Sequence, residues 1–393
     1  MRIAVVKPDH GTVGGFELVV RRVVRHLRSV GHEVRIVTVR ADLDPDRALG
    51  RPVPDELRRR APEFVDYLGL VATFRAVDLS GEDLVISTQP GSFAVRHERH
   101  LALFYHHYRL FYEFAPLLAS AGLVRDPDLH LELASVVREL DDECLAGVGR
   151  FCVPSRTVAD RLDRYNGIDR VSPFHAGIGL AATAEPAERP GPGEHVLCVS
   201  RHEFPKRTEL FAAAARGFGE LPAVCVGAGS RIDWVRRIDE LARSTTDVEP
   251  ERLWRARNHG DPPLPGRSPA GIVRFVSYAT HAELAGLYRR ATCVVAPALD
   301  EDYGLTVIEA MAHGVPVVVC DDGGSLVELT EDAGAGLVVE PTPEAIAAGV
   351  RRLSEDRDLA TRCREAAREA GRTFTWSRAF GQLDAAVAAV ADA

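Results

Sequence analysis

Short runs of β-branched and other apolar residues alternate along this chain with stretches of helical apolar period. That alternation constrains the fold more than any other feature. It begins with Ile3–Val6, continues with a helix from about Glu17 to Ser29 and returns to a strand at Val34–Val39. Strand, helix, strand in this order means a parallel sheet with helices on its faces. The pattern restarts with Val196–Ser200, a helix near Glu209–Arg216, then Ala223–Val226, Ile272–Val276, Cys293–Ala296 and Val315–Val319. At 393 residues the chain exceeds the roughly 250 to 300 at which a single core stops growing. The reading is therefore α/β, with two Rossmann-like doubly wound parallel-sheet domains, residues 1–180 and 195–374, facing a central cleft at the carboxyl ends of their strands. Residues 181–194, rich in Ala, Pro, Glu and Gly without an apolar period, read as the linker between them. A last helix, 375–393, is expected to pack back on the first domain. The polar, Pro-rich stretch 245–269 reads as a surface loop without an assigned role.

Composition narrows the function. A formal net charge of -9 argues against nucleic acid or an anionic bilayer as partner, because both are held chiefly by clustered Lys and Arg. The first helix carries Arg21, Arg22, Arg25 and Arg28 opposite Val20, Val23, Val24 and Leu27. Its charges read as a solvated face and its apolar side as packed on the sheet, so membrane association is not expected. Seven cysteines with no Cys-x-x-Cys pair look like scattered core thiols. Nothing near Met1 has the length of a signal peptide and no stretch approaches a membrane span, which together predict a cytoplasmic protein. Oligomeric state leaves no trace in the sequence.

The strongest signal is the segment Asp300–Val317, in which two carboxylates seven residues apart, Glu301 and Glu309, bracket a glycine. Gly304 ends a loop and a helix starts at about Leu305. The backbone N–H groups of Gly304, Leu305 and Thr306 would then be free at a helix N-terminus, where unpaired donors and the dipole favour an anionic diphosphate. Glu301, before the helix, can face a sugar. Glu309, inside it, can accept both hydroxyls of a ribose. The plainer alternative makes Glu301 and Asp302 first-turn charges and Glu309 a solvated position, but a carboxylate among Val307, Ile308, Ala310 and Met311 sits badly on a surface.

This segment resembles the retaining glycosyltransferases of family 4, whose fold is the two-Rossmann-domain type called GT-B and whose hallmark is a Glu-x7-Glu motif. Gly314–Val318, Asp322–Glu328 and the run from Phe374 to Ser377 match the later, C-terminal parts of that family's pattern. The resemblance implies that Glu301 contacts the donor sugar and Glu309 the ribose. It also gives meaning to Arg201 and Lys206, which match an Arg and a Lys that grip the donor diphosphate. As the glycosidic bond breaks, negative charge builds on the departing diphosphate, and fixed cations lower that barrier. Alone, the two would read as solvated loop charges.

In the first domain Thr12–Glu17 lies between the first strand and first helix, and its Gly14-Gly15 pair would let backbone amides approach a phosphate. The resemblance places Gly15 near the donor phosphate or the acceptor. The Gly-x-Gly-x-x-Gly spacing of a dinucleotide site is missing. Further on, Leu103–Glu113 holds two histidines and an arginine among aromatics. Some family members carry Tyr-x-His-x-x-x-Arg here, with the His against the donor sugar. The sequence is one residue short of that spacing, so His106 is preferred and His107 stays open, beside the alternative of a core histidine in an aromatic cluster. Arg138, Asp141 and Phe151–Ser155 also fit the family.

Two Asp-Pro-Asp triplets, Asp44–Asp46 and Asp126–Asp128, read as turns or helix starts instead of metal sites. No cluster has metal-ligand spacing, so neither metal nor other cofactor is expected beyond the nucleotide-diphosphate sugar as co-substrate. The resemblance implies a hexosyltransferase-type reaction with retention, delivered to a small natural product or a growing glycan, without an enzyme nucleophile. An epimerase or phosphorylase of the same fold is the nearest rival. A non-catalytic sugar-nucleotide-binding protein would keep the folding glycines and lose the four charges, which are all present.

Overall fold

The computed structural model describes residues 1–9, 11, 15–40, 44–178, 193–241 and 272–392. The expectations for residues 12–14, for most of the linker and for the loop 245–269 lie outside the described residues. The chain divides into two compact units, Met1–Ala176 with Trp376–Ala393, and Gly177–Thr375.

The first unit is built on β1 (Arg2–Asp9), β2 (Glu33–Arg40), β3 (Leu84–Ser87), β4 (His100–Leu103), β5 (Arg150–Val153) and β6 (Val171–Pro173). All pair in parallel, in the order β2-β1-β3-β4-β5-β6. The second holds β7 (His195–Val199), β8 (Ala223–Val226), β9 (Val273–Val276), β10 (Ala291–Ala296), β11 (Val317–Cys320) and β12 (Gly336–Val339), again parallel, in the order β12-β11-β10-β7-β8-β9. Strands β3, β4, β10 and β11 are buried at every residue. Helices cover both faces, so such strands are mostly apolar without alternation, broken only by Ser87, His100 and Thr292.

Helices begin where the sequence supplies caps. Thr280 and Glu283 form a capping box ahead of His281–Arg290. The two Asp-Pro-Asp triplets do the same work, for Asp44 accepts from the Asp46 N–H and Asp126 from the Leu129 N–H, both at 3.1 Å. The helix Gly15–Ser29 buries Val19, Val20, Val23, Val24 and Leu27 and leaves Arg21, Arg22, Arg25 and Arg28 exposed. Each of those buried side chains contributes about 1.5–3 kcal/mol. The last helix, Trp376–Ala391, packs within the first unit, where Asp384 meets His26 Nε2 at 2.8 Å and Phe380 stacks on the same ring at 4.0 Å. All seven cysteines are free thiols, and only Cys144 is not fully buried. Among the described residues no helix is long and apolar enough to cross a membrane.

In the second sheet β7 is followed outward by β8 and β9 on one side and by β10, β11 and β12 on the other. The strand order therefore reverses between β7 and β10. The carboxyl ends of the strands at such a point are the usual place for a ligand in doubly wound sheets.

Candidate functional site

The loops after β7, β10 and β11 meet at that reversal. The first ends in a tight turn, Phe204–Lys206. The second runs from Pro297 to Gly304, and the third from Asp321 to Gly324. Backbone hydrogen bonds tie them together, from Leu299 N to Pro205 O at 2.7 Å, Asp300 N to Asp322 O at 2.8 Å and Glu301 N to Gly323 O at 3.0 Å. Ser325 N returns a bond to Glu301 O at 3.0 Å, so Glu301 and Gly324 form a one-residue parallel bridge. Gly324 adopts φ 60°, ψ -124°, and a Cβ there would lie 2.8 Å from Glu301 O. Only glycine fits that approach.

Two of the expected site residues are thereby brought into contact, for the Lys206 ammonium pairs with Glu301 Oε2. Both are partly buried. Arg201, just past β7, is exposed and makes no ion pair among the described residues. Gly304 caps the helix Leu305–Ala312 in a left-handed conformation, φ 84°, with no side-chain cap. A Cβ on it would meet Leu326 at 2.7 Å and Leu329 at 2.9 Å. Thr306 Oγ1 donates to Val199 O at 3.0 Å and anchors the first helical turn to the end of β7. The donors of that turn stand at the strand-order reversal, poised for an anion.

Glu309 sits one turn further along, partly buried, and accepts from the Tyr288 hydroxyl at 2.8 Å. Burial pushes its carboxyl above the ordinary range, against the opposing effect of that hydrogen bond. Tyr288 in turn stacks on His313, with ring centres 5.3 Å apart. The position is not a solvated helix face. His202, between Arg201 and Lys206 in sequence, is fully buried and bonds Thr208 Oγ1 at 2.9 Å through Nδ1, and burial lowers its pKa. It supports the turn and does not line it.

Sequence reasoning missed three members of this site. Arg207, fully buried, donates from Nε to Pro297 O and from Nη1 to Asp322 Oδ2, each at 2.7 Å, and from Nη2 to Asp322 Oδ1. Its left-handed backbone, φ 46°, costs a non-glycine residue on the order of 1 kcal/mol. Asp322 stood only within a matched motif, and Tyr288 carried no signal beyond an aromatic in a helix. Ser325 Oγ is buried with no hydrogen-bond partner, 3.9 Å from where a Cβ on Gly304 would stand. Beneath the site Arg231 and Glu209 form a buried pair at 2.8 Å.

In the first unit Gly15 opens the helix after β1 and is exposed. Lys7, buried in β1, bonds Glu17 Oε1 at 2.5 Å, and Phe16 packs edge-on against Tyr105 at 4.6 Å. The two histidines after β4 part company. His107 is buried, stacked on Tyr112 at 4.1 Å, edge-on to Phe104 and Tyr165, with Nε2 2.7 Å from Asn166 Oδ1. His106 is partly exposed, and its Nδ1 lies 2.7 Å from His107 O. A carbonyl only accepts, so the Nδ1 that faces it carries a proton. Nearby, Arg109 pairs with Glu113, which also meets Arg161 at 3.4 Å. Asp141 is buried between Tyr67 at 2.5 Å and Tyr112 at 2.8 Å. Among the described residues no three His, Cys, Asp or Glu side chains gather as a metal site.

Two family models match the chain. One, described as Glycosyltransferase Family 4, covers residues 13–181, and the other, Glycosyl transferases group 1, covers residues 269–370. The chain belongs to glycosyltransferase family 4. Relatives include the D-inositol 3-phosphate glycosyltransferase of Kineococcus radiotolerans, 28% identical over 94% of this chain and 89% of that protein. The enzyme of the same name from Corynebacterium glutamicum is 32% identical over 35% of this chain and 36% of its own length. Several such matches thus span less than two thirds of the relative. The fold is GT-B, as in the sucrose-phosphate synthase of Thermosynechococcus elongatus, with a TM-score of 0.69 at 21% identity over 98% of this chain and 97% of the other. An Anabaena protein solved with UDP and glucose gives 0.60 at 14% identity over 99% of each chain.

Proposed function

We propose that this family 4 chain transfers a sugar from a nucleotide-diphosphate donor to a hydroxyl of a small acceptor, with retention of anomeric configuration. The observation that carries the reading is the Lys206–Glu301 pair, lodged at the strand-order reversal beside the uncapped helix start at Gly304–Thr306. An ammonium next to a carboxylate suits a ligand whose anionic and hydroxyl-bearing parts adjoin, as diphosphate and sugar do. In this reading Lys206, Arg201 and the N–H groups of Gly304, Leu305 and Thr306 take the diphosphate, Glu301 a sugar hydroxyl and Glu309 the ribose. Gly15 and His106, in the first unit, keep the donor-related roles that the resemblance to the family gives them.

The acceptor oxygen bonds to the anomeric carbon on the face that the diphosphate leaves. The carbon–phosphate-oxygen bond breaks, and the departing oxygen takes the acceptor's proton. The enzyme's share is charge stabilisation and positioning. No residue is asked to act as a covalent nucleophile, and no metal is invoked. The names of the relatives make a phosphorylated polyol such as D-inositol 3-phosphate the first acceptor to try, and the UDP-bound neighbour makes UDP-sugars the first donors. A thermal-shift panel of UDP-, GDP-, ADP- and dTDP-sugars tests the donor site, since a ligand bound only by the folded state raises its stability. One nucleotide should stand out in the wild-type chain and lose its effect in Lys206→Ala. A flat panel, with no donor hydrolysis, would leave a scaffold as the better account.

A further inference from the structure

Among the described residues only two other than glycine have a left-handed backbone, Arg207 with φ 46° and Asp300 with φ 48°. One follows Lys206 and the other precedes Glu301. The two strained positions thus abut the two halves of the ion pair. Strain of this kind persists only where the surroundings over-determine it. Around Arg207 they do. Its Nε bonds Pro297 O, which opens the loop after β10, and its two terminal nitrogens take both oxygens of Asp322 in the loop after β11. Its own backbone closes the loop after β7. Asp322 O then receives the Asp300 N–H at 2.8 Å, and the next residues bridge to Glu301. One buried guanidinium therefore joins the three loops and reaches the backbone on both sides of the Lys206–Glu301 contact.

We propose that Arg207 is a positioning residue, whose fork on Asp322 and Pro297 sets the geometry between Lys206 and Glu301. Its consequence for turnover rests on the donor-site reading above, while the geometric claim stands apart from it. The planar fork holds its donors at fixed angles, which a single ammonium on a flexible stem does not, so Arg207→Lys should fail to substitute. Glycine adopts the left-handed backbone without strain, so Arg207→Gly removes the fork and spares the main chain.

The chain offers a direct readout, because Lys7 and Lys206 are its only lysines. Protein grown on lysine labelled with carbon-13 at Cε gives two side-chain signals, which Lys7→Arg assigns and of which Glu301→Gln moves that of Lys206. In Arg207→Gly and in Asp322→Asn the Lys206 signal should shift toward its position in Glu301→Gln while that of Lys7 stays. Donor turnover should fall by about a hundredfold, the scale of a small misplacement of reacting groups, chiefly in kcat. Arg207→Lys should behave like Arg207→Gly. A Lys206 signal unmoved in both folded variants overturns the proposal. If Arg207→Gly does not fold, Asp322→Asn decides alone, since it weakens the fork and leaves Arg207 in place. If the wild-type chain consumes no nucleotide sugar and Lys206 still follows Arg207, the positioning stands and the donor reading falls.

Discussion

At the scale of single residues, the carboxylates of the site owe their contrast to surroundings. Glu301 has an ammonium beside it, whereas burial pushes the Glu309 carboxyl up against the opposing hydrogen bond from Tyr288. A ribose held by Glu309 would be held equally in ground and transition states, so Glu309→Ala should raise the donor KM and leave kcat within about threefold. A fall in kcat at unchanged KM would assign Glu309 to the chemical step. Arg201→Ala and Lys206→Ala should instead each lower turnover by at least about a hundredfold, because charge grows on the leaving diphosphate only as the bond breaks. Steady-state rates on folded protein check this, and near-normal turnover in both variants removes the diphosphate site. The glutamates were legible because a Gly between carboxylates at helical spacing marks a helix start. Arg207 was not, since Lys206-Arg207 shows charge and hides backbone conformation. The sequence preferred His106 and left His107 open, and packing separates them, for His107 is buried among aromatics and His106 is partly exposed.

At the scale of elements, the runs that became β1, β2 and β7 to β11 were readable, several of them only four residues long, and the equally short β3, β4 and β12 were not. A four-residue apolar run carries no period that separates it from a buried helix turn. The helix Pro127–Ala146 shows a second limit, because the sequence marked its Asp141 only as part of a family match, with no sign that it is buried between two tyrosines. Burial pushes its carboxyl from the ordinary 3.8 up to about 7, although both phenols donate to it. The folded chain therefore holds a proton that the unfolded chain has lost between those two values. The stability from this group is fully present below about pH 4 and disappears as pH rises through about 7, on the order of a few kcal/mol. Asp141→Asn cannot ionise and should flatten that part of the profile. Melting temperatures of both proteins at pH 5 and pH 8 check it, and parallel slopes would mean that the carboxyl titrates near its ordinary value.

At the scale of the whole molecule, two doubly wound sheets were foreseeable from the restart of the strand–helix pattern, and the strand-order reversal that gathers the loops was not. Order within a sheet is fixed by which strands pair, and the spacing of runs along the chain is silent on pairing. The stereochemical outcome also belongs to this scale, because no single residue determines it. An inverting transferase needs a base on the acceptor side, opposite the leaving group. His106 is the first-unit candidate, with Nδ1 held by the His107 carbonyl and Nε2 outside that bond. In the reading proposed above the second unit offers the other arrangement, in which Arg201, Lys206 and the helix start at Gly304 would neutralise a diphosphate whose own oxygen takes the proton as it departs. The Lys206 cation and the uncapped amides at Gly304 in the second unit favour the second route. An α-linked donor should give an α-linked product, with EDTA harmless. Following the anomeric proton by NMR during turnover decides it, because a β-linked product would transfer the role of base to His106 and strip the diphosphate of it.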